Sequence, residues 1–455
     1  MKYQKYLKGN LQNFFSVKIV DAGGKYRHWE KMRFLDPPEG LTNLEWWTAT
    51  KIARRGAAKT TSLIDKDGSQ FKYCITDQMG SDLHWIDQNA AGSFESSAGT
   101  RDHGKDTYII RSLVEEAINS SQLEGASTTR HVAKKMIRQR RDPSDISERM
   151  IINNYHAMQF IKDNGKEKLT VKIILALHEL LADQTLVTEK VGVFRENEDE
   201  VYVENNEGEL LHMPPDADHL NERMQSLVDF ANAPDEETFT HPVIRSIILH
   251  FMLGYEHPFV DGNGRTARAV FYWSMKHHSY WLAEYISLSK EIKAAPVRYG
   301  QAYRLTETDD GDLTYFIVNQ LEMITRAIKT FQSNLAKKME ETQEARLFLD
   351  GSDRFRSQLN FRQLSLLKHA IRHPRHEYNI SEHKNSHGIT YETARQDLLS
   401  MAELGLLQKK SVGKKHVFSA PDNMYELLQI SENKLDQQSA SLQSFFNFRT
   451  RYTIE

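Results

Sequence analysis

The sequence predicts a mainly α-helical protein with a small β-hairpin and an α+β domain near the C-terminal end. Apolar residues recur at helical spacing through most of residues 106–335, and this periodicity is the main signal of amphipathic helices. One such series consists of Ile110, Leu113, Val114, Ala117 and Ile118. Near the end of the chain, two helical stretches precede two strand-like stretches around Gly413, which indicates a compact α+β module.

Length and composition limit the class of protein. The chain has 455 residues, 39% hydrophobic and 27% charged, so it is long enough for about three domains with real cores. Its formal net charge of −3 argues against a protein that coats nucleic acid along its whole length. The single cysteine, Cys74, excludes an internal disulfide framework and any multi-cysteine metal site, and it fits a reducing compartment.

The sequence carries no signal for export or for membrane insertion. Its first residues, MKYQKYLKGNLQNFF, are basic but lack the apolar core and the small-residue cleavage site of a signal peptide. No apolar run approaches the roughly 20 residues that a membrane helix needs. We therefore expect a soluble, cytoplasmic protein with no membrane partner.

We predict five segments along the chain. They are an N-terminal region (1–105), a helical core (106–335), a polar connector (336–358), an α+β domain (359–422) and a polar tail (423–455). In the N-terminal region, a helical pattern follows Leu41, a short strand follows Phe71, and residues 90–106 have the composition of a linker. This region suggests no chemistry, and we expect a core role for its tryptophans, Trp29, Trp46, Trp47 and Trp85.

The segment that suggests chemistry is HPFVDGNGRTAR, residues 257–268. An apolar helical pattern ends where it begins, and a second apolar helix follows near Ala267, so the segment is a loop that opens a helix. Gly262 and Gly264 allow positive φ and a close approach of a ligand to the backbone. Successive backbone N–H groups at a helix N-terminus make such a loop an anion site.

The polar side chains of this loop fit a triphosphate with a base beside it. Asn263 adds an amide donor, and Arg265 and Arg268 lie three residues apart on one helix face, with guanidinium donors suited to phosphate. Asp261 supplies a hard oxygen ligand for Mg²⁺ or Mn²⁺ shared with phosphates. His257 is a candidate general base near pH 7. A glycine-rich turn alone is usually only a helix cap, so the prediction depends on all these side chains converging.

The loop also resembles, at every defining position, the HPFx[D/E]GNGRxxR motif of Fic-domain proteins. The resemblance implies an all-helical Fic core and transfer of AMP from ATP to a Ser, Thr or Tyr hydroxyl of a target protein, and of the enzyme itself. It implies that His257 deprotonates this hydroxyl and that Asp261 holds the metal against the α- and β-phosphates. Asn263 and the glycine backbone would form the anion hole. Arg265 and Arg268 would hold the β- and γ-phosphates.

A second motif, SSQLEG, begins at Ser120. Glu124 ends a helix whose opposite face is apolar, and such a carboxylate is by itself usually solvated. Together with the loop, the segment up to Gly125 resembles the Fic inhibitory motif, [S/T]xxxE[G/N]. The resemblance implies an inhibitory helix at about residues 106–125, with Glu124 paired to Arg268 so that ATP binds unproductively. The same glutamate can orient water for AMP removal, so both directions of the reaction stay open.

The segment VGVFRENEDEVYV, residues 191–203, has β-rich ends around an acidic middle, which predicts a hairpin. It resembles the Fic flap, which holds a target segment by strand addition, and an ordinary surface hairpin is the alternative. The residues assigned to the flap are Val191, Gly192, Val193, Phe194 and Arg195. Tyr299 and Tyr303 occupy positions where similar proteins have aromatic residues near the adenine, with core packing as an equal alternative.

Residues 351–420 carry 12 Lys and Arg against 6 Asp and Glu, and this segment resembles a winged helix-turn-helix domain. GITYETARQDLLSMAELGLLQKK resembles the recognition helix and its continuation into the wing. The side chains expected to face a DNA groove are Thr390, Tyr391, Thr393, Arg395 and Gln396. The positive charge permits phosphate contacts, but winged helices also dock proteins, so DNA and protein both stay open as partners.

Two classes of function follow from these motifs. The first is an enzyme, either a protein adenylyltransferase inhibited by Glu124 or a sibling that removes AMP or transfers another nucleotide. The second is a DNA-binding regulator that uses the Fic core as a sensor or a self-modifying switch. A homodimer is compatible with both classes, because dimer contacts often control the inhibitory helix in similar proteins. The aromatic cluster of the tail, Phe445, Phe446 and Phe448, is a candidate docking segment.

Overall fold

The computed structural model describes residues 11–91, 105–139, 141–204, 208–234, 239–351, 359–373, 376–412 and 415–421, with Met424 and Leu428. The chain divides into two compact units, Met1–Phe331 and Gln332–Glu455. The phenylalanine cluster of the predicted tail and most of the predicted linker at 90–106 lie outside the described residues. The finer division into five segments stays a prediction.

Helices dominate the described part of the chain, as the sequence predicts. Their bounds are α1 (Leu11–Phe15), α2 (Trp29–Met32), α3 (Asn43–Ala57), α4 (Asp77–Ala90), α5 (Lys105–Leu123), α6 (Arg130–Gln139), α7 (Ile146–Asn164), α8 (Val171–Ala182), α9 (Leu220–Asn232), α10 (Pro242–Glu256), α11 (Asn263–His277), α12 (Leu288–Ala294), α13 (Pro296–Thr308), α14 (Thr314–Gly351), α15 (Phe361–Arg372), α16 (Ile380–His387) and α17 (Tyr391–Glu403). The helix predicted after Leu41 is α3, and the series that begins at Ile110 lies on α5.

Strands are short, and those in the described residues form small antiparallel sheets. They are β1 (Lys59–Ile64), β2 (Gln70–Tyr73), β3 (Val203–Glu204), β4 (Leu210–His212), β5 (Glu377–Asn379), β6 (Gln408–Val412) and β7 (Lys415–Ser419). β1 pairs with β2 and β3 pairs with β4, while the strand order of the C-terminal sheet is β5-β7-β6. The strand predicted after Phe71 is β2.

The core of the first unit forms around α10 and α11, which pack against each other. Nearly every residue of α10 is buried, because its sequence is apolar on all faces. Pro242 begins this helix, where its fixed φ suits the first turn, and His257 ends it. α7 and α8 pack against α11, and α5 packs against α7. The loop that joins α10 to α11 is therefore held from several sides.

The N-terminal region adds a cap to this core. Thr42 and Glu45 form a capping box that starts α3, and Trp46 is buried on that helix. The other three predicted core tryptophans are only partly buried. Arg54 of α3 stacks on Tyr26 with 3.5 Å between guanidinium and ring centroid, and it donates to Tyr315 Oη of α14 at 2.8 Å. These contacts attach residues outside the helical core to its last helix.

The hairpin predicted at residues 191–203 is wrong in position. Residues 191–196 form a turn and an unpaired segment, a short 3₁₀ helix follows at Asn197–Asp199, and the antiparallel pair β3–β4 lies further along the chain. The reason is packing: Arg195 is buried and the ring of Phe194 lies against Phe259. Phe194 and Arg195 therefore pack against the loop without pairing as a strand, while Val193 is exposed.

The second unit contains α15, β5, α16, α17, β6 and β7 in that order around its own core, which includes Leu366, Leu398 and Phe418. The two strands predicted around Gly413 are present and pair with each other. β5, which was not predicted, pairs with β7. The winged-helix assignment itself stays a prediction.

Two other predictions concern longer stretches of the chain. The connector expected at 336–358 is helical up to Gly351, because α14 continues through it. Of the helices in the described ranges, none combines the length and the apolar content that crossing a bilayer requires.

A network around Asp397 holds the second unit together. Its carboxylate accepts hydrogen bonds from Arg362 Nε at 2.8 Å, from Asn360 Nδ2 at 2.8 Å and from His383 Nε2 at 3.1 Å. Burial raises the pKa of Asp397, but the hydrogen bonds from Arg362, Asn360 and His383 outweigh it and hold this pKa below its usual range. The network joins α15, α16 and α17 at one carboxylate.

Removal of this carboxylate should destabilise the second unit. We expect Asp397→Ala to lower its free energy of unfolding by about 2 kcal/mol, because hydrogen bonds to a charged group contribute about 1.5–3 kcal/mol. Hydrogen exchange of α17 across a urea series measures this loss. Since the folded pKa is depressed, the contribution of Asp397 should be present above the ordinary value of 3.8 and disappear as the pH falls below it. The control Glu392→Ala removes an exposed pair with Arg395 on the same helix, and an equal loss there would contradict the assignment.

Candidate active site

The loop between α10 and α11 reverses the chain with a left-handed residue at each end. His257 has a φ of 45° and Gly262 has a φ of 83°. Gly262 adopts this conformation without strain, whereas His257 carries a β-carbon and needs support from its surroundings. Two hydrogen bonds provide it, from His257 N–H to Leu253 O at 3.2 Å and from Arg195 Nε to His257 O at 2.8 Å. The imidazole therefore leaves the helix in a defined direction.

The imidazole of His257 is held with one nitrogen free. Its Nδ1 lies 3.1 Å from the carbonyl oxygen of Gly254, which can only accept, so Nδ1 carries the proton and Nε2 keeps its lone pair. Burial lowers the pKa of His257 below its ordinary value and outweighs the hydrogen bond to Gly254. A neutral imidazole with a free nitrogen is the state that a general base needs.

Asn263 holds the loop closed. Its Oδ1 accepts from Phe259 N–H at 2.9 Å, its Nδ2 donates to Phe259 O at 2.7 Å, and the side chain is buried. One N–H of the Asn263 amide is thus engaged inside the loop, and its role as an anion donor stays a prediction. No described side chain caps α11, so the N–H groups of its first turn are the donors that face a ligand.

Arg265 supports the carboxylate of Asp261. It is 1% exposed, and it donates from Nη1 to Leu181 O at 3.0 Å and from Nη2 to Asp261 Oδ2 at 2.9 Å. Both terminal nitrogens thus bind protein oxygens through one N–H each, and the phosphate contact of Arg265 stays a prediction. Asp261 is oriented by this pair while its side chain stays 54% exposed.

Arg268 faces the end of α5 and pairs with Glu124. Its Nη2 donates to Glu124 Oε1 at 2.8 Å, and its Nε donates to Ser120 Oγ at 2.9 Å. Burial lowers the pKa of Arg268, but the carboxylate of Glu124 more than offsets this and holds the pKa above its usual range. The structure therefore brings together the two charged residues that the sequence analysis expects to pair.

Gly264 lies directly beneath this ion pair. A β-carbon at this position would lie 2.3 Å from Glu124 Oε1 and 3.0 Å from Arg268 Nη1. Immediately after Glu124, Gly125 has a φ of 92° and turns the chain at the end of α5. The first turn of α11 and the Glu124 carboxylate are thus in direct contact.

Residues 168–275, which include the loop and both of its helices, match the family model of the Fic/DOC family. The chain contains a Fic/DOC domain. Among curated relatives, the protein adenylyltransferase Fic of Drosophila melanogaster is 31% identical over 181 residues, which is 39% of this chain and 34% of the fly protein. The namesake in Drosophila willistoni is 36% identical over 116 residues, which is 25% of this chain and 21% of that protein. The chain thus spans only 34% and 21% of the length of these two relatives.

A solved structure supports the fold of this Fic/DOC domain. The crystal structure of a Fic family protein from Desulfovibrio desulfuricans G20 aligns with a TM-score of 0.50, covering 76% of this chain and 97% of that chain. At 18% sequence identity, this likeness concerns the fold alone.

The segment predicted as the flap is attached to the loop of the Fic/DOC domain. Arg195 N–H donates to Pro258 O at 2.9 Å, and Arg195 Nη2 donates to Pro215 O at 2.6 Å. The rings of Phe194 and Phe259 lie 5.7 Å apart. This segment is therefore a support of the loop.

Sequence reasoning missed His178 on α8. Its side chain is buried and stacks on Phe259, with 3.7 Å between ring centroids and 2° between planes. Its Nδ1 accepts from Gly192 N–H at 3.0 Å, and its Nε2 lies 2.9 Å from Asp261 O. The signal was available, since a histidine in the apolar stripe IILALHELLA needs hydrogen-bond partners when buried.

Tyr299 and Tyr303 are engaged in the core. Tyr299 Oη lies 2.9 Å from His250 Nε2, and Tyr303 Oη donates to His250 O at 3.3 Å. Both rings also contact Phe316. These are the contacts expected if the two tyrosines pack in the core. Their contact with adenine stays a prediction.

The donor set of the loop fits a magnesium ion shared with a nucleotide. In the described ranges, no three His, Cys, Asp or Glu side chains converge as a metal site of their own. Asp261 supplies one oriented and exposed carboxylate. Mg²⁺ in nucleotide sites commonly takes one or two carboxylates and completes its shell with phosphate oxygens and water.

Two cavities lie elsewhere in the first unit. One, of about 500 Å³, is lined by residues that include Tyr26, Met79 and Arg326. Another, of about 230 Å³, is lined by residues that include Trp47 and Cys74. Neither includes a residue of the 257–268 loop.

The imidazole of His257 should titrate below the ordinary histidine value. We expect it to stay neutral as the pH falls through 6.5 and to take up a proton only at lower pH, because burial disfavours the charged ring. The ¹³C and ¹H shifts of Cε1, followed by NMR across a pH series, measure this pKa. His257→Gln assigns the signal, and a pKa above 6.5 would contradict the burial argument.

Proposed function

We propose that this chain is a protein adenylyltransferase that transfers AMP from ATP to a Ser, Thr or Tyr hydroxyl of a target protein, and of itself, and that Glu124 inhibits it. The observation that carries this proposal is the ion pair between Glu124 and Arg268 at the first turn of α11. The names of the curated relatives support the class of reaction.

His257 acts as the general base. The target hydroxyl gives its proton to Nε2, and its oxygen attacks the α-phosphorus of ATP in line with the leaving oxygen of the β-phosphate. The new P–O bond forms as the bond to that oxygen breaks, so the products are AMP-modified protein and pyrophosphate. Because Gly254 O already holds the ring and Arg195 holds the backbone carbonyl of His257, little reorganisation is needed when the proton moves.

The phosphates are held by the loop and by the start of α11. N–H groups of the first helical turn donate hydrogen bonds to phosphate oxygens. Gly262 and Gly264 let these oxygens approach the backbone. Asp261, oriented by Arg265, would hold Mg²⁺ or Mn²⁺. Such an ion would supply charge neutralisation for the phosphates and for the leaving pyrophosphate. Asn263 keeps the loop in the shape that these contacts need.

Inhibition follows from the place of Arg268. In this proposal its guanidinium is the donor for the γ-phosphate, and Ser120 and Glu124 now occupy that donor. The carboxylate of Glu124 also repels a triphosphate. ATP therefore binds with its γ-phosphate displaced and its α-phosphate out of line with the attacking hydroxyl. Withdrawal of Glu124, which is 26% exposed, restores the donor.

The target segment is proposed to add to an edge of the β3–β4 pair. His212 attaches β4 beside the end of α10, with Nε2 at 2.7 Å from Tyr255 O and Nδ1 at 2.8 Å from Glu307 Oε2. Leu210 and Leu211 of this strand are 55% and 49% exposed and offer apolar contacts to an extended peptide. The flap role predicted for residues 191–195 thus passes to β3–β4.

Labelling with α-³²P-ATP in a bacterial lysate tests the reaction. We expect Glu124→Gly to raise transfer about 10- to 100-fold, because a hydrogen bond to a charged group is worth about 1.5–3 kcal/mol. Glu124→Gly/His257→Ala should lose all label while it still binds ATP. Parallel reactions with γ-³²P-ATP and α-³²P-UTP identify the group that is moved.

The control is Glu115→Ala, which removes another acidic residue of α5 whose partners are Arg130 and Lys134. It should label as the wild type does. Unchanged transfer in Glu124→Gly would make the inhibitory assignment wrong. Label from another nucleotide would keep the fold and change the reaction. Loss of AMP from a premodified target, without any transfer, would favour the opposite direction.

A second candidate function is DNA binding by the second unit, and the exposed first turn of α17 supports it. Tyr391 is 52% exposed, and Thr390 and Gln396 are also exposed. Arg395 pairs with Glu392 on the same surface. The order of helices and strands in this unit is compatible with the recognition geometry that the resemblance implies.

Charge reversal on α17 tests this second candidate. We expect the full chain to shift duplex DNA in a gel less as salt rises, and we expect Arg395→Glu to abolish the shift, because phosphate contacts dominate such binding. Arg298→Glu, which changes an exposed arginine of the first unit, is the control. An unaltered shift with Arg395→Glu, or no shift by the wild type, would exclude this function.

A further inference from the structure

Residues 192–195 and the 257–261 loop are joined at several points. Arg195 N–H donates to Pro258 O at 2.9 Å, and Arg195 Nε donates to His257 O at 2.8 Å. The third joint passes through a side chain, because Gly192 N–H donates to His178 and His178 reaches Asp261 O. The two segments lie more than 60 residues apart in sequence, as the 62-residue separation of Arg195 and His257 shows.

The third joint requires a histidine in one tautomer. The carbonyl of Asp261 can only accept, so Nε2 of His178 carries the proton and Nδ1 accepts from Gly192 N–H. Since one ring nitrogen donates and the other accepts, the ring in this arrangement is neutral. An apolar ring would fill the same space against Phe259, but it would leave one buried N–H and one buried C=O without these partners.

The hydrogen bonds of His178 reach the residue that would bind the metal ion. Asp261 carries the carboxylate that would hold the metal ion, and His178 fixes the backbone of that residue. Gly192 has a φ of 70° and lies against α8, where a β-carbon would come within 3.2 Å of Glu179 Cβ. The backbone at Gly192 is therefore tightly packed. The imidazole of His178 links it to the backbone of Asp261 through two hydrogen bonds.

We propose that His178 is a positioning residue that makes residues 192–195 and the 257–261 loop one rigid body. In its absence the base at His257 is still held by Arg195, whereas the carboxylate of Asp261 loses its backbone anchor. The inference rests on the proposed function for its effect on metal and nucleotide, but the rigid body itself does not depend on the reaction.

Hydrogen exchange on the ligand-free full chain tests the rigid body. We expect His178→Phe, which keeps the stacked ring and removes both hydrogen bonds, to exchange about fivefold faster in residues 191–195 and 257–264. His178→Gln, which can still donate to Asp261 O, should exchange at a rate between this variant and the wild type. Trp273→Phe, which removes a hydrogen bond to Glu167 O from the same core, should leave both segments unchanged.

The reaction supplies a second readout in the Glu124→Gly background. We expect His178→Phe to raise the Mg²⁺ concentration for half-maximal labelling about tenfold, the usual effect of losing a group that orients a metal ligand. The labelling rate of His178→Phe at saturating Mg²⁺ should change much less. His178→Gln should restore part of the affinity for Mg²⁺. Trp273→Phe should shift neither value.

Each outcome decides between the two claims. Faster exchange in both segments with an unchanged Mg²⁺ requirement would keep the rigid body and overturn the positioning role. Unchanged exchange, or faster exchange in one segment alone, would overturn the rigid body. If no variant transfers AMP under any condition, the proposed function fails, and the exchange rates still decide whether His178 joins the two segments.

Discussion

The turn between α10 and α11 is the constraint on which the rest of the site depends. Both helices are buried on nearly every face, so the chain must reverse inside the core with no freedom to fray. A left-handed residue at each end, a buried Phe259 and the two-way bond of Asn263 make this possible. Once the turn is fixed, the free nitrogen of His257 and the first N–H groups of α11 have fixed directions.

A buried positive charge is the second constraint, because it must always have an anion beside it. Arg268 is almost fully buried, and removal of a counter-ion from such a guanidinium is costly. In the resting structure the counter-ion is Glu124, and in the proposed reaction it is a phosphate. In the proposed reaction, Glu124 and a phosphate are therefore alternative partners of the same guanidinium and exclude each other.

Local sequence patterns predicted most helices and the position of the loop, because both depend on residues that are close together in the sequence. The helices α5, α10 and α15 follow apolar periodicity, and the loop follows glycines and polar residues at fixed spacing. The errors arose where a distant partner decides. No local pattern shows, for example, that Arg265 donates to Leu181 O, 84 residues away.

Contacts with distant residues also explain why the hairpin was predicted at the wrong position and why His178 was missed. Residues 191–195 have the alternation of a strand, yet bonds from Arg195 to the distant loop hold them against the core. His178 was hidden inside an apolar stripe, where residue type alone does not say which backbone groups it meets. The predicted pair of Glu124 and Arg268 came from resemblance, since 144 residues separate them.

Gly264 shows how a resting state can limit the sequence of a catalytic loop. The volume that a methyl group would need there is already filled by an oxygen of Glu124. A chain with any larger residue at this position could fold α11 and still be unable to keep Glu124 in place. If the proposed inhibition holds, a larger side chain here would weaken both the inhibitory contact and the approach of a ligand, so the same glycine would serve the inhibited and the active protein.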